Sequence, residues 1–277
     1  RQRLGTRKGF VWLKREITPS QQKEIHNLGI PGIGFLRENK RVYPSGSEVA
    51  HLIGLVNIDN QGIAGMEKWL DSNGLADLHR AGFATDRLQK PVELSIDLRV
   101  EHALRDELLK AKEHYHAKAA SGLVSNVRTG EIVAMVSLPD FDPNNPKEAH
   151  DPDRINRLTT GVYEMGSTFK AFTLAMALDS GKYDLNSMWD ARAPLHFGRF
   201  TIHDDHRLGR FINMKEVFTY SSNIGAARIA LAQGVEAHKA FLRKMGQMER
   251  LRTELPESAS PILPRKWGEL NTVTIAF

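Results

Sequence analysis

The 277 residues contain no cysteine. That excludes a thiol nucleophile, a disulfide framework and a Cys-ligated zinc site, and it leaves the redox compartment open. No apolar run approaches the roughly 18 residues that a bilayer span requires. The chain as given therefore holds neither a membrane span nor the apolar region of a secretory signal. Internal repeats and low-complexity tracts are lacking too. What remains is an ordinary globular composition, 41% hydrophobic and 26% charged, sufficient for a proper core in one large or two ordinary domains.

A net charge of +5 and a pI near 9.4 raise the question of nucleic acid. The positive residues are scattered, except for Arg1, Arg3, Arg7, Lys8, Lys14 and Arg15. No recognition motif accompanies that cluster, which reads as a solvated face, and nucleic-acid binding is not expected.

The pattern Ser-x-x-Lys occurs at Ser167-Thr168-Phe169-Lys170 and at Ser20-Gln21-Gln22-Lys23. Alone it is weak, since about one match is expected by chance at ordinary residue frequencies. The two differ in the residues on their C-terminal side. Behind Ser167, apolar and small residues recur at helical spacing, Phe169, Phe172, Thr173, Met176 and Ala177, until Asp179-Ser180-Gly181 stops them. That predicts a buried helix with its serine end at a mouth. Behind Ser20 there is no apolar helix, and Thr18-Pro19 marks a solvated helix start. Residues three apart share a helix face, so the Lys170 amine can reach the Ser167 hydroxyl. The helix N-terminus adds backbone N–H groups and a positive partial charge. A lysine kept neutral there by burial can accept the serine's proton.

Ser221-Ser222-Asn223 is the second element. Before it, Asn213 with Glu216 three residues on predicts a capped helix, and after it Ile224 to Gln233 reads as an Ala-rich helix closed by Gly234. The three residues fall at a helix–helix junction, where polar side chains either satisfy loose helix ends or project into a cleft. Their joint occurrence with Ser167 and Lys170 favours the cleft. Two further clusters, His203-Asp204-Asp205-His206 and Glu113-His114-Tyr115-His116, hold metal-capable residues but lack the spacing of a helix-borne zinc site. Both are expected to be structural or exposed, and no metal is expected.

With these elements in order, the chain resembles the class B penicillin-binding proteins, the serine D,D-transpeptidases of peptidoglycan synthesis. Their motif set includes Ser-x-x-Lys, a Ser-x-Asn element and Lys-Thr-Gly. The resemblance extends over nearly the whole chain. Arg41-Val42-Tyr43-Pro44-Ser45-Gly46 is similar to the Arg-x-Tyr-Pro-x-Gly box of class B members, and His51 to Glu67 to the segment next to it in division-type members. Leu94-Ser95-Ile96-Asp97 and Thr129 to Ser137 match the entry to the transpeptidase domain and its first hairpin. Two departures stand out. Met165 precedes Gly166 where many relatives have proline, and no Lys-Thr-Gly occurs in the 277 residues. The second departure suggests a chain truncated before its third motif.

The resemblance implies an α+β fold: a transpeptidase domain of the penicillin-binding protein and β-lactamase type, antiparallel sheet with helices, over residues 89–277. A small irregular N-terminal module over 1–88 precedes it, with the boundary near Thr85 to Pro91. Within the domain, a helix is predicted from Asp97 with Val100, Leu104, Leu108, Ala111 and Tyr115 on one face, then a hairpin of Gly122 to Val127 with Glu131 to Leu138 turning at Gly130, then a mainly helical remainder. The implied roles are Ser167 as nucleophile, Lys170 as base, Ser221 as proton shuttle and Asn223 as substrate-binding residue, with no cofactor. Peptidoglycan stem peptides would be the substrates and β-lactam antibiotics the mimics. The implied setting is periplasmic, with an inner-membrane anchor upstream of residue 1 and cell-division or cell-wall membrane proteins as partners. A class D-like β-lactamase shares the Ser-Thr-Phe-Lys string but does not carry the Arg41 to Glu67 module. A β-lactam sensor or an inert scaffold would keep the fold without the crosslinking.

Overall fold

The computed structural model describes residues 9–73 and 91–277. The chain divides into two compact units, Arg1–Arg154 and Ile155–Phe277. Apart from Pro91, the boundary expected at Thr85 to Pro91 lies outside the described residues, as do Arg1, Arg3, Arg7 and Lys8 of the basic cluster.

The first unit opens with α1, Pro19–Asn27, which Thr18 and Gln21 close by exchanging side-chain and backbone hydrogen bonds. A 3-10 turn, Gly46–Val49, leads into α2, Ala50–Ile53, then the short hairpin β1 Leu55–Val56 and β2 Gly62–Ala64, then α3, Gly65–Ser72. Glycine is required at Gly54, where φ is +75° and a Cβ would fall 1.9 Å from the Ala64 carbonyl oxygen. The box recognised by sequence is knit into this module. Arg41 donates from Nε and Nη2 to the two Glu67 carboxylate oxygens, at 2.6 and 3.1 Å, and the Tyr43 hydroxyl accepts from the Val56 N–H at 3.0 Å.

Helix α4, Leu98–His114, is capped by the Asp97 carboxylate on the Arg99 N–H and packs on the antiparallel pair β3 Ala120–Ser125 and β4 Ile132–Leu138. Gly122 leaves the space that Leu104 and Leu108 occupy. Tyr115 departs from expectation. It lies past the helix end and is 76% exposed, because the chain leaves the helix there and His116 takes a left-handed φ of +51°. The most buried residue of α4 is instead Glu101, whose carboxylate accepts from the Met135 N–H of β4 at 2.7 Å. Both α4 and this hairpin fall within the first compact unit. Phe141 shares a core with Tyr43, Ala50 and Leu55, and the Asn144 side chain bonds both the N–H and the carbonyl of Tyr43.

The second unit begins its regular structure with a 3-10 turn, Gly166–Phe169, running directly into α5, Lys170–Asp179. Four three-residue strands come next: β5 Met188–Asp190, β6 Leu195–Phe197, β7 Phe200–Ile202 and β8 Phe211–Asn213, paired as β5–β8 and β6–β7. The remainder expected to be mainly helical thus carries two ribbons, each too short to show a period of two. Then come α6 Met214–Thr219, α7 Asn223–Gln233, α8 Val235–Lys244 and α9 Glu269–Ile275. Asn213 and Glu216 form the capping box at α6, and Gly234, at φ +87°, ends α7. The alanines of α7 let its neighbours approach closely. Leu174 and Ala177 of α5 pack with Ala226, Ile229 and Ala230 of α7 and with Ile212, Met214 and Val217. Each fully buried aliphatic side chain of this cluster contributes on the order of 1.5–3 kcal/mol.

Across both units the fold is α+β, with the antiparallel pairing spread over four two-stranded ribbons among the described residues.

Candidate active site

The turn that carries Ser167 is 3-10 rather than α, and this improves its geometry. Residues three apart eclipse one another in a 3-10 turn, which stacks Ser167 over Lys170. Gly166 opens the turn at φ +56°, a conformation that favours glycine. Ser167 is exposed, whereas Lys170, at the first position of α5, is 1% exposed.

Three oxygens surround the buried amine. Lys170 Nζ stands 2.7 Å from Ser167 Oγ, 3.0 Å from Ser221 Oγ and 2.7 Å from Asn223 Oδ1. Ser221 Oγ in turn lies 3.1 Å from Ser167 Oγ, closing a triangle of two hydroxyls and an amine. The Phe277 ring is 5.5 Å from Nζ, and a bond of 2.9 Å from Thr173 Oγ1 to the Ala276 carbonyl ties that chain segment to α5. Burial pushes the Lys170 amine below its ordinary pKa, and the nearby Asp204 carboxylate pushes in the opposite direction. The structure therefore brings together all four residues singled out by sequence.

Ser221 reaches its place through an unusual backbone. The end of α6 is a Schellman turn, in which the Ser222 N–H bonds the Val217 carbonyl at 2.9 Å and the Ser221 N–H bonds the Phe218 carbonyl at 3.1 Å. The left-handed position of such a turn ordinarily holds glycine. Here it holds Ser221, at φ +52°. A non-glycine residue in this region costs about 1–2 kcal/mol, and strain of this kind gathers at functional sites.

Sequence reasoning passes over Asp204. Its carboxylate accepts from Ser222 Oγ at 2.9 and 3.0 Å and from the Ile224 N–H at 2.9 Å, while the His203 carbonyl accepts from Asn223 Nδ2 at 3.1 Å. The signal is present in His203-Asp204-Asp205-His206, but its composition suggests a metal cluster and not a partner for a helix start 20 residues on. Asp205 and His206 are almost wholly exposed. Among the described residues no group of three or more His, Asp or Glu could hold a metal ion. In the first unit a cavity of about 520 Å³ is lined by Arg41, Tyr43 and Glu67 among others, and none of the four residues lines it. Arg41 and Glu67 pair with one another there.

Chemically, an exposed serine hydroxyl beside a buried lysine amine, with a second hydroxyl bridging them, defines a serine acyl-transfer class of site. The chain belongs to the penicillin-binding protein transpeptidases: the family described as "Penicillin binding protein transpeptidase domain" matches residues 120–277. It is 44% identical over 261 residues, 94% of its length, to the protein of Caulobacter vibrioides (strain NA1000 / CB15N) named "Probable peptidoglycan D,D-transpeptidase FtsI", of which this covers 43%. It is 32% identical over 97% of its length to peptidoglycan D,D-transpeptidase FtsI of Escherichia coli (strain K12), covering 48% of that protein. Among solved structures, penicillin binding protein 3 of Mycobacterium tuberculosis complexed with aztreonam aligns over 86% of this chain and 54% of its own, with a TM-score of 0.70 at 23% identity. The chain spans about half the length of the curated relatives it matches.

Proposed function

We propose that the protein carrying these residues is a peptidoglycan D,D-transpeptidase of division type, and that Ser167 is its nucleophile. The observation that supports this most is the buried Lys170 amine, 2.7 Å from Ser167 Oγ and 3.0 Å from Ser221 Oγ. In this reading Ser167 Oγ attacks the carbonyl between the last two D-alanines of a stem pentapeptide, and its proton passes to Lys170. The C–N bond breaks, and Ser221 relays the proton to the departing D-alanine amine. An amine of a second stem then attacks the acyl-serine ester, its proton returning through the same relay to Ser167. Asn223, whose Oδ1 is turned to Lys170, offers its amide to the donor peptide backbone.

A β-lactam would mimic the donor and remain as a stable acyl-enzyme. The names of the relatives support the substrate class and, through FtsI, a septal role. The same reading sets the protein in the periplasm, held by an inner-membrane anchor upstream of Arg1 and working with cell-division membrane proteins. No metal or cofactor enters the mechanism.

The test is covalent labelling of the native protein by a fluorescent penicillin, with the labelled peptide identified by mass spectrometry. A stable adduct on Ser167, together with crosslinking of stem-peptide substrates, is the expected result. Rapid turnover of the penicillin would instead indicate a β-lactamase, labelling without crosslinking a sensor, and no labelling a scaffold.

A further inference from the structure

The cluster His203-Asp204-Asp205-His206 has no step in the proposed reaction, yet its His203 carbonyl holds Asn223 and its Asp204 carboxylate holds Ser222 and Ile224, the residues on either side of Asn223. We infer that Asp204 is a positioning residue for acylation: it pins the start of α7 and so fixes Ser221 and Asn223 against Lys170. The inference rests on the proposed roles of Ser167 and Lys170.

The anchorage runs from core to site. Ile202, the last residue of β7, is buried against Ala227 of α7 and Val273 of α9. The chain then turns outward through His203 and Asp204. The Asp204 carboxylate takes the Ile224 N–H directly and the Ser222 hydroxyl through both oxygens, and Ser222 Oγ itself accepts from the Gly225 N–H at 2.9 Å. Two of the unsatisfied N–H groups at the start of α7 are thus answered by one side chain, one directly and one through Ser222. A negative charge at a helix N-terminus is favourable. Ser222 is fully buried, and a Cβ at Gly225 would come 2.6 Å from the Val217 side chain, so the junction has no slack. One residue earlier, the His203 carbonyl holds Asn223 Nδ2, which turns Oδ1 toward Lys170. Ser221, in its left-handed conformation between α6 and this clamp, is held from both sides.

Charge gives the clamp a signature that a purely structural role lacks. Around Lys170 Nζ, Ser167 of the 3-10 turn, Ser221 and Asn223 of the α6–α7 junction and Phe277 after α9 are uncharged. Among the described residues Asp204 is the titratable group with electrostatic reach to the amine, and it favours the protonated form. Removing its charge makes Lys170 easier to deprotonate, so the acid limb of acylation moves to lower pH.

The experiment measures acylation by a chromogenic β-lactam across pH in the native protein and in Asp204→Ala, Asp204→Asn and Ser222→Ala. Folding is followed by thermal melting, and the adduct is located by mass spectrometry. Expected are a plateau rate lowered by about 10- to 100-fold in Asp204→Ala, the scale of a modest misplacement of reacting groups, and an acid limb moved down in both Asp204 variants but not in Ser222→Ala. Asp204→Ala combined with Ser222→Ala should be little slower than Asp204→Ala alone, because both remove the same link. The isosteric Asp204→Asn carries the test should Asp204→Ala fail to fold. An unmoved acid limb in a folded Asp204 variant, with the adduct still on Ser167, overturns the inference and leaves the proposed function standing. An adduct on another residue in the native protein overturns both.

Discussion

Ser20-Gln21-Gln22-Lys23 and Ser167-Thr168-Phe169-Lys170 are the same four-residue pattern at the start of a helix, in two units of one chain. In α1 no residue is buried, and Ser20 and Lys23 are both exposed. At α5 the serine is exposed too, but the lysine is 1% exposed and meets three oxygens within 3.0 Å. Spacing therefore supplies reach and nothing more. The chemistry comes from desolvating the amine, which makes its neutral form accessible, and from a second element that brings Ser221 and Asn223 to it.

The largest test of that difference is removal of each serine hydroxyl. Ser167→Ala should abolish covalent penicillin labelling of the native protein, whereas Ser20→Ala should leave it at the wild-type level. Gel fluorescence after saturation with the label reads the outcome directly, and full labelling of Ser167→Ala would falsify the assignment.

Next in size is the amine. Lys170→Ala should slow acylation by about 10²- to 10⁴-fold, the span of general base catalysis, and Lys23→Ala should not change it. Ser221→Ala should also be slow. Because the hydroxyl and the amine form one triangle with Ser167, the Lys170→Ala, Ser221→Ala pair should cost much less than the sum of the two penalties. Strictly additive penalties in stopped-flow acylation would mean that the two groups act independently.

How much of this is legible in the chain depends on distance along it. The helix behind Ser167, the Asn213–Glu216 box, the Gly130 turn and the Gly234 stop are local, carried by periodicity and capping chemistry, and each is found where the residues place it. The four clustered residues, Ser167, Lys170, Ser221 and Asn223, stand out in the sequence because two short motifs carry them. Asp204 is not, since its partners lie 18 and 20 residues away and its local string resembles a metal cluster. Glu101 is hidden in the same way: its position on the apolar face of α4 is visible, but its acceptance of the Met135 N–H, 34 residues on, is not. The bonds between Tyr43 and the Asn144 side chain, 101 residues apart, are equally invisible along the chain.

Burial without partners separates the comparison further. His238 of α8 is 1% exposed, and neither ring nitrogen has a hydrogen-bond partner. Burial pushes its pKa down to about 4. The folded value lies below the unfolded one of about 6.5, so its contribution to stability is complete above pH 6.5 and is lost as the pH falls toward 4. The loss is at most about 3 kcal/mol from this group. Glu101 has the opposite sign. Burial raises its carboxyl to about 7, so stability is greatest below about pH 4.5 and declines as the pH rises through 7. Melting curves from pH 4 to 8 should show His238→Gln reducing the acid loss and Glu101→Gln the alkaline one. Neither substitution should alter penicillin acylation at neutral pH, and a change there would mean that burial alone reaches the site.

The smallest effect concerns the residue that α1 has no counterpart for. Ser221 occupies the left-handed position of a Schellman turn at φ +52°, where glycine would carry no Cβ penalty. Ser221→Gly should relieve that strain, offset in part by the greater freedom of glycine in the unfolded chain. A net gain of about 0.5–1 kcal/mol is expected, or roughly 2 °C in Tm for a protein of this size. The same substitution deletes the hydroxyl 3.0 Å from Lys170 Nζ and 3.1 Å from Ser167 Oγ, so acylation should slow as the protein becomes more stable. Ser221→Ala separates the two effects, because it loses the hydroxyl but keeps the Cβ strain: it should acylate as slowly as Ser221→Gly and melt below it. If Ser221→Gly melts below the wild type, the turn is not strained. The serine would then be held there by its hydrogen bonds, not tolerated for its chemistry.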